Sequence, residues 1–142
     1  MIGNKIRLGL FYMLYLGLCP VGIEAADPEV LKPRVPTEQM EEARTWENPF
    51  PSTSDNIKKG EALFHGKAFC VTCHGKDGKG FGNIPGLLGK LPRNFTEKAW
   101  QAKRRDGELL WILKNGSAGT AMASFIPLVL TEEEAWHVIL YL

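Results

Sequence analysis

The first apolar cluster in the chain is also its longest. "LGLFYMLYLGL" runs for eleven residues without a charge, after "MIGNKIR" with two cations and before the small residues of "GIEA". That order predicts a secretory signal over residues 1–25, with Ala25 the last residue removed. An uncleaved membrane anchor competes with it, although Leu8 to Ile23 is broken by Pro20 and falls short of the ~20 apolar residues a helical span needs. Residues 26–55 lose the apolar pattern. "ADPEVLKPRVP" and "NPFPSTSDN" are rich in proline, which fixes the backbone and removes hydrogen-bond donors. They predict a mostly extended, solvated arm, with one polar helix candidate, "TEQMEEARTW", between them. A passive spacer between the domain and its export site and a docking role for Trp46 and Phe50 fit this arm equally.

From Asp55 the period becomes helical. Ile57, Gly60, Leu63 and Phe64 fall on one face after a cap at Ser54 or Asp55, and this helix is expected to lead straight into two cysteines. "TEKAWQAKR" predicts a short helix capped by Thr96, and "GELLWILKN" one capped by Asp106 and ended by Gly116. In the last helix Thr131 and Glu134 form a capping box, and Ala135, Trp136, Val138, Ile139 and Leu142 face a core. No alternating strand of useful length and no internal repeat occurs, so the predicted fold class is all-α. The chain stops at Leu142 inside that helix without closing basic residues, as a chain cut short would.

Composition adds one small domain: 142 residues, 44% hydrophobic and 23% charged. Without residues 1–25 the chain loses Lys5, Arg7 and Glu24, and its net charge is zero. A nucleic-acid partner, which calls for a strongly basic face, is not expected.

The chemistry is concentrated in "FCVTCHGKDGKG", residues 69–80. A structural zinc site needs four ligands, and beyond Cys70, Cys73 and His74 the exported chain holds no further cysteine and only His65 and His137 as imidazoles. A thioredoxin-type dithiol belongs in a βαβ context that the helices do not provide. Covalent haem attachment remains: each thiol adds to a vinyl group as a thioether, and the adjacent histidine binds the iron. An export signal agrees with it, because that attachment takes place outside the cytoplasm.

From about residue 56 to 142 the chain resembles a single-haem class I cytochrome c of the short bacterial kind, also found as cytochrome subunits of respiratory complexes. The residues that carry the resemblance are "GEALF" before the haem motif, "CVTCH", "IPGLLG" after it, and "GTAMASF" followed by a helix ending "ILYL". The resemblance implies a small cytochrome c fold wrapped around one haem c, held by Cys70 and Cys73, with His74 and Met122 as axial ligands of the iron. It implies further that the Pro85 carbonyl receives the second ring N–H of His74. Arg93, in "LPRNFT", is a candidate partner for a haem propionate, with a solvated arginine the equal alternative. Gly60 and Phe64 match the family's G-x-x-x-F, where the terminal helix crosses, with Tyr141 as the expected partner. Trp100, Trp111, Phe81, Leu87, Leu88 and Phe125 are candidates for the haem wall. One departure stands out: the family commonly has proline after the ligand methionine, whereas Ala123 follows Met122, which loosens the loop.

An iron closed by histidine and methionine leaves substrate no position, so the expected role is electron transfer rather than catalysis. The implied setting is the periplasm, with or without membrane association. The implied partners are redox protein donors and acceptors, with Lys67, Lys76 and Lys79 lending positive charge near the haem edge. Two other classes fit the same residues: a cytochrome subunit tethered to a larger oxidoreductase, and a haem enzyme or gas sensor in which Met122 is displaced.

Overall fold

Thr53 starts the helix that organises the molecule. In the computed structural model, which describes residues 28–83 and 89–142, its side chain accepts a hydrogen bond from the Asn56 N–H and caps α3, Ser54–His65. The cap is therefore one residue earlier than the sequence suggests, because Ser54 and Asp55 already have helical geometry. α3 packs along α7, Glu132–Tyr141. Their crossing rests on Gly60, where a Cβ would overlap the backbone carbonyl of His137 and press on Cβ of Tyr141 at 3.0 Å. One turn on, Phe64 is 1% exposed and meets the Tyr141 ring at 5.4 Å between centroids. Burying such a side chain contributes about 1.5–3 kcal/mol, and the ring pair adds on the order of 1 kcal/mol.

α7 begins with the capping box expected: Thr131 accepts from the Glu134 N–H at 3.2 Å, and the Glu134 carboxylate takes the Thr131 N–H at 2.9 Å. Its Ala135, Trp136, Val138 and Ile139 enter one core with Leu110 and Leu113 of α6, Asp106–Asn115. Gly116, at φ 76°, closes α6 as expected. Asp106 does not cap it: the N-cap is Arg105, and Asp106 lies in the first turn, where its charge favours the helix dipole. Nor does Thr96 cap α5, Lys98–Gln101; Glu97 precedes that helix, and the Thr96 hydroxyl instead donates to Asn94. All regular structure among the described residues is helical.

The arm departs most from expectation. After a short α1, Pro28–Leu31, the helix α2, Thr37–Thr45, lies against α6. Ala43 is fully buried and Val35 is 4% exposed. Gly107 of α6 makes the contact, since a Cβ there would overlap the carbonyl of Ala43. Arg44 Nε reaches the buried Glu108 at 2.8 Å, and Asn48 Nδ2 donates to the Trp136 carbonyl at 3.0 Å. Trp46 and Phe50 pack against the core. A proline-rich, polar segment thus docks through a few specific anchors rather than a broad apolar face. The leader read over residues 1–25 lies outside the described residues.

Candidate functional site

α3 does not run straight into the cysteines. It ends at His65, and a turn over residues 66–69 re-aims the chain, with Ala68 N–H bonded to the Leu63 carbonyl and Phe69 at φ 51°. That left-handed backbone costs a non-glycine residue about 1–2 kcal/mol. The turn delivers α4, Val71–His74, whose His74 N–H bonds the Cys70 carbonyl at 2.9 Å. One helical turn therefore sets Cys70, Cys73 and His74 as neighbours on one side.

His74 is held at one nitrogen. Nδ1 lies 3.1 Å from the carbonyl of Arg93. A carbonyl only accepts, so Nδ1 carries the hydrogen, and Nε2 keeps its lone pair for a metal. The ring stacks on Phe95, centroids 4.4 Å apart and planes at 24°. Burial pushes the imidazole below its ordinary pKa, against the hydrogen bond it donates to the Arg93 carbonyl, and favours the neutral form that ligates. The acceptor expected from resemblance, Pro85, lies outside the described residues, and the carbonyl that meets this ring among them is that of Arg93.

Burial pushes the Cys70 thiol up to about 11, with the neighbouring Cys73 adding to it. Reactive C-x-x-C pairs work the other way, with a thiol pulled down toward neutrality. This pair is therefore poorly set for dithiol exchange. Among the described residues no group of three or more His, Cys, Asp or Glu side chains is arranged to hold a metal ion.

Cys70, Cys73 and His74 open into a cavity of about 250 Å³. Met122 lines the same cavity, in the loop after α6. That loop is braced despite Ala123: the Met122 carbonyl accepts from Ser117 N–H at 2.9 Å, and the Met122 N–H donates to Thr120 Oγ1 at 3.2 Å. Trp100, Phe125, Phe95, Leu109, Ile112 and Leu113 supply apolar wall. Trp111 and Phe81 do not line it, Phe81 being 69% exposed, and Leu87 and Leu88 lie outside the described residues. Arg93 does line it, with its guanidinium 6.0 Å from the Trp100 ring centroid. Two thiols a helical turn apart, an imidazole with one nitrogen free, a thioether and an apolar wall share one cavity, and this donor set fits a covalently held haem.

Other expected residues fall elsewhere. His65 Nε2 lies 3.2 Å from the Tyr141 hydroxyl, and His137 is buried against Phe50 at 4.5 Å between rings. Lys67 is paired with Glu134 and Lys79 with Asp77, which spends charge expected to face a partner; Lys76 is exposed. Sequence reasoning missed Glu108, 1% exposed and held by Arg44 and Arg104 at 2.8 Å each. The i,i+4 spacing of Arg104 and Glu108 was a readable signal. Arg44, 64 residues away, offered none.

The sequence model of the family described as "Cytochrome C oxidase, cbb3-type, subunit III" matches residues 55–142. No curated protein shows significant similarity to the chain. Among solved structures, a chain of the reducing HAO-like protein complex of Kuenenia stuttgartiensis is similar, with 25% identity and a TM-score of 0.54. The match covers 66% of this chain and 44% of that one.

Proposed function

The chain belongs to the family of cbb3-type cytochrome c oxidase subunit III, and from that membership we propose that it is an exported single-haem relay passing one electron at a time between redox proteins. Membership implies an all-α cytochrome c domain with haem c. The proposal adds the number of haems, the ligands and the setting. The observation that carries it is the convergence of Cys70, Cys73, His74 and Met122 on one apolar cavity, with Nδ1 of His74 committed to the Arg93 carbonyl.

When bound, the haem supplies a one-electron couple. The chain's own residues set its conditions. Cys70 and Cys73 would hold the ring at α4, and the Arg93 carbonyl occupies Nδ1 of His74, so that Nε2 would be the atom offered to the metal. Met122 offers a neutral sulfur, which favours the reduced state. Leu113, Trp100 and Phe125 exclude water, which disfavours the extra charge of the oxidised state in the same direction. Phe69, 69% exposed beside Cys70, offers an apolar contact for a partner next to the thioether edge.

A second reading has its own support. The matching family is named for an oxidase subunit, and the similar solved chain is part of a complex, so association of this chain with a larger oxidoreductase is the natural elaboration. Among the described residues no helix is long and apolar enough to cross a membrane. A pyridine haemochrome spectrum of the exported protein tests the proposal: one covalent c-type haem per chain is expected, and a colourless product with both thiols free would contradict it. Co-purification with a larger complex separates subunit from free carrier.

A further inference from the structure

His74 heads a file of rings. Its imidazole stacks on Phe95 with centroids 4.4 Å apart, Phe95 meets Phe64 edge-on at 6.3 Å, and Phe64 meets both His65 and Tyr141 at 5.4 Å. These are the spacings of aromatic rings in direct contact. The file ends at the surface, where His65 is exposed and its Nε2 lies 3.2 Å from the Tyr141 hydroxyl. From the side, a cleft of about 370 Å³ opens onto its middle, with Phe64, Phe95 and Tyr141 among its walls beside Asp77, Gln101 and Leu142.

Burial alone does not ask for this order. Leu110, Leu113, Leu130 and Val138 fill the same core with saturated side chains, and the hydrophobic effect is indifferent to which apolar group removes the area from water. The rings are not scattered among them. They run in unbroken contact from the imidazole that offers Nε2 to the solvent. Trp100 branches from Phe95 at 5.6 Å but is 4% exposed, so that branch stays inside. Orbital overlap decays less steeply across touching π systems than across saturated groups or gaps, which makes this file the better conductor through the core.

Resting on the reading of His74 as the iron's ligand, we propose that Phe95 and Phe64 carry electrons between the metal-bound imidazole and the α3–α7 surface at His65 and Tyr141, a route separate from the thioether edge. One electron moves, between the iron and the redox protein of the proposed function. No ring changes its own oxidation state, no bond forms or breaks, and no proton is exchanged.

The chain supplies its own point of attachment for the test. Of its three histidines only His65 is exposed, so a photoactive ruthenium complex can be bound there on the haem-loaded full chain. After a flash, Ru(III) takes one electron from Fe(II) and leaves Ru(II) and Fe(III), and the rate of that step is read beside the midpoint potential of each sample. Phe95→Leu should slow it several-fold at an unchanged potential, and the ring-keeping Phe95→Tyr should match the wild type. A second tether separates conduction from mere support of His74. With His65→Gln and Lys76→His, the label sits on an exposed residue two positions past the ligand, and Phe95→Leu should leave that rate unmoved. Should Phe95→Leu fail to load haem, Phe64→Leu carries the same comparison. Equal rates from His65 with and without the ring overturn the proposal, as does a loss of the same size from both tethers. A haemochrome spectrum keeps the two readings apart: no covalent haem in the wild type sinks the relay itself, whereas loaded protein with an unmoved rate sinks only the route.

Discussion

Gly60 lies under the carbonyl of His137 and Gly107 under that of Ala43, and neither site leaves room for a Cβ. The two crossings use the same device at opposite ends of the chain's organisation. The first joins α3 to α7 inside the matched region, and Phe64, Tyr141 and Val138 build the core around it. The second joins α2 to α6 and brings in a segment outside that region, anchored by Ala43 and a buried carboxylate. The difference lies in what stands behind each contact. An apolar core backs one, and a small set of polar anchors backs the other.

The same substitution should therefore fail differently at the two places. Gly60→Ala forces a methyl group into a backbone carbonyl within the main core. It is expected to cost on the order of 3 kcal/mol and to lower the thermal unfolding midpoint of the whole domain. Gly107→Ala should instead release the arm while the haem region stays folded, so that limited proteolysis cuts within residues 28–50 well before global unfolding. Equal global destabilisation by both would erase the distinction.

Removing the anchors one at a time sharpens it. Glu108→Gln leaves Arg104, whose side chain is 7% exposed, without its counter-charge, and is expected to cost about 3 kcal/mol in denaturant unfolding. Arg44→Gln touches a guanidinium that is 43% exposed, and solvent screening limits its effect to about 0–1 kcal/mol. An Arg44 variant as damaging as the Glu108 one would mean that the docked arm, rather than the buried charge, dominates.

The smallest effect belongs to the cap of α7. Lys67 first, then the Thr131 N–H, hold the Glu134 carboxyl below its ordinary 4.5. A group depressed in the folded state contributes stability that is present above its unfolded pKa and lost as pH falls through the folded value. Glu134→Gln should thus cost about 0.5–1 kcal/mol at pH 7, and the difference from wild type should shrink in acid below 4.5. A pH-independent difference would assign the effect to packing.

What could be read without coordinates follows the same division. "CVTCH", Gly60 with Phe64, and Thr131 with Glu134 are legible because each signal is local: a helical turn, one face of a helix, a four-residue capping box. Trp46 and Phe50 were readable as docking candidates, but the Arg44 anchor of the arm was illegible, because its partner carboxylate is 64 residues away. The Arg93 carbonyl at His74 was hidden for a related reason, since any residue of a loop offers a carbonyl and only the path of the chain selects one. Cap positions slipped by a residue where neighbouring polar side chains compete, as Thr53, Ser54 and Asp55 do.

Carbon monoxide binding to the reduced, haem-loaded protein, beside its Met122→Ala variant, reaches the core of the account most directly. With Met122 on the iron, the wild type should bind the gas slowly or not at all, and the variant should bind it rapidly. Rapid binding by the wild type, unchanged in the variant, would show that the thioether in this cavity does not close the metal.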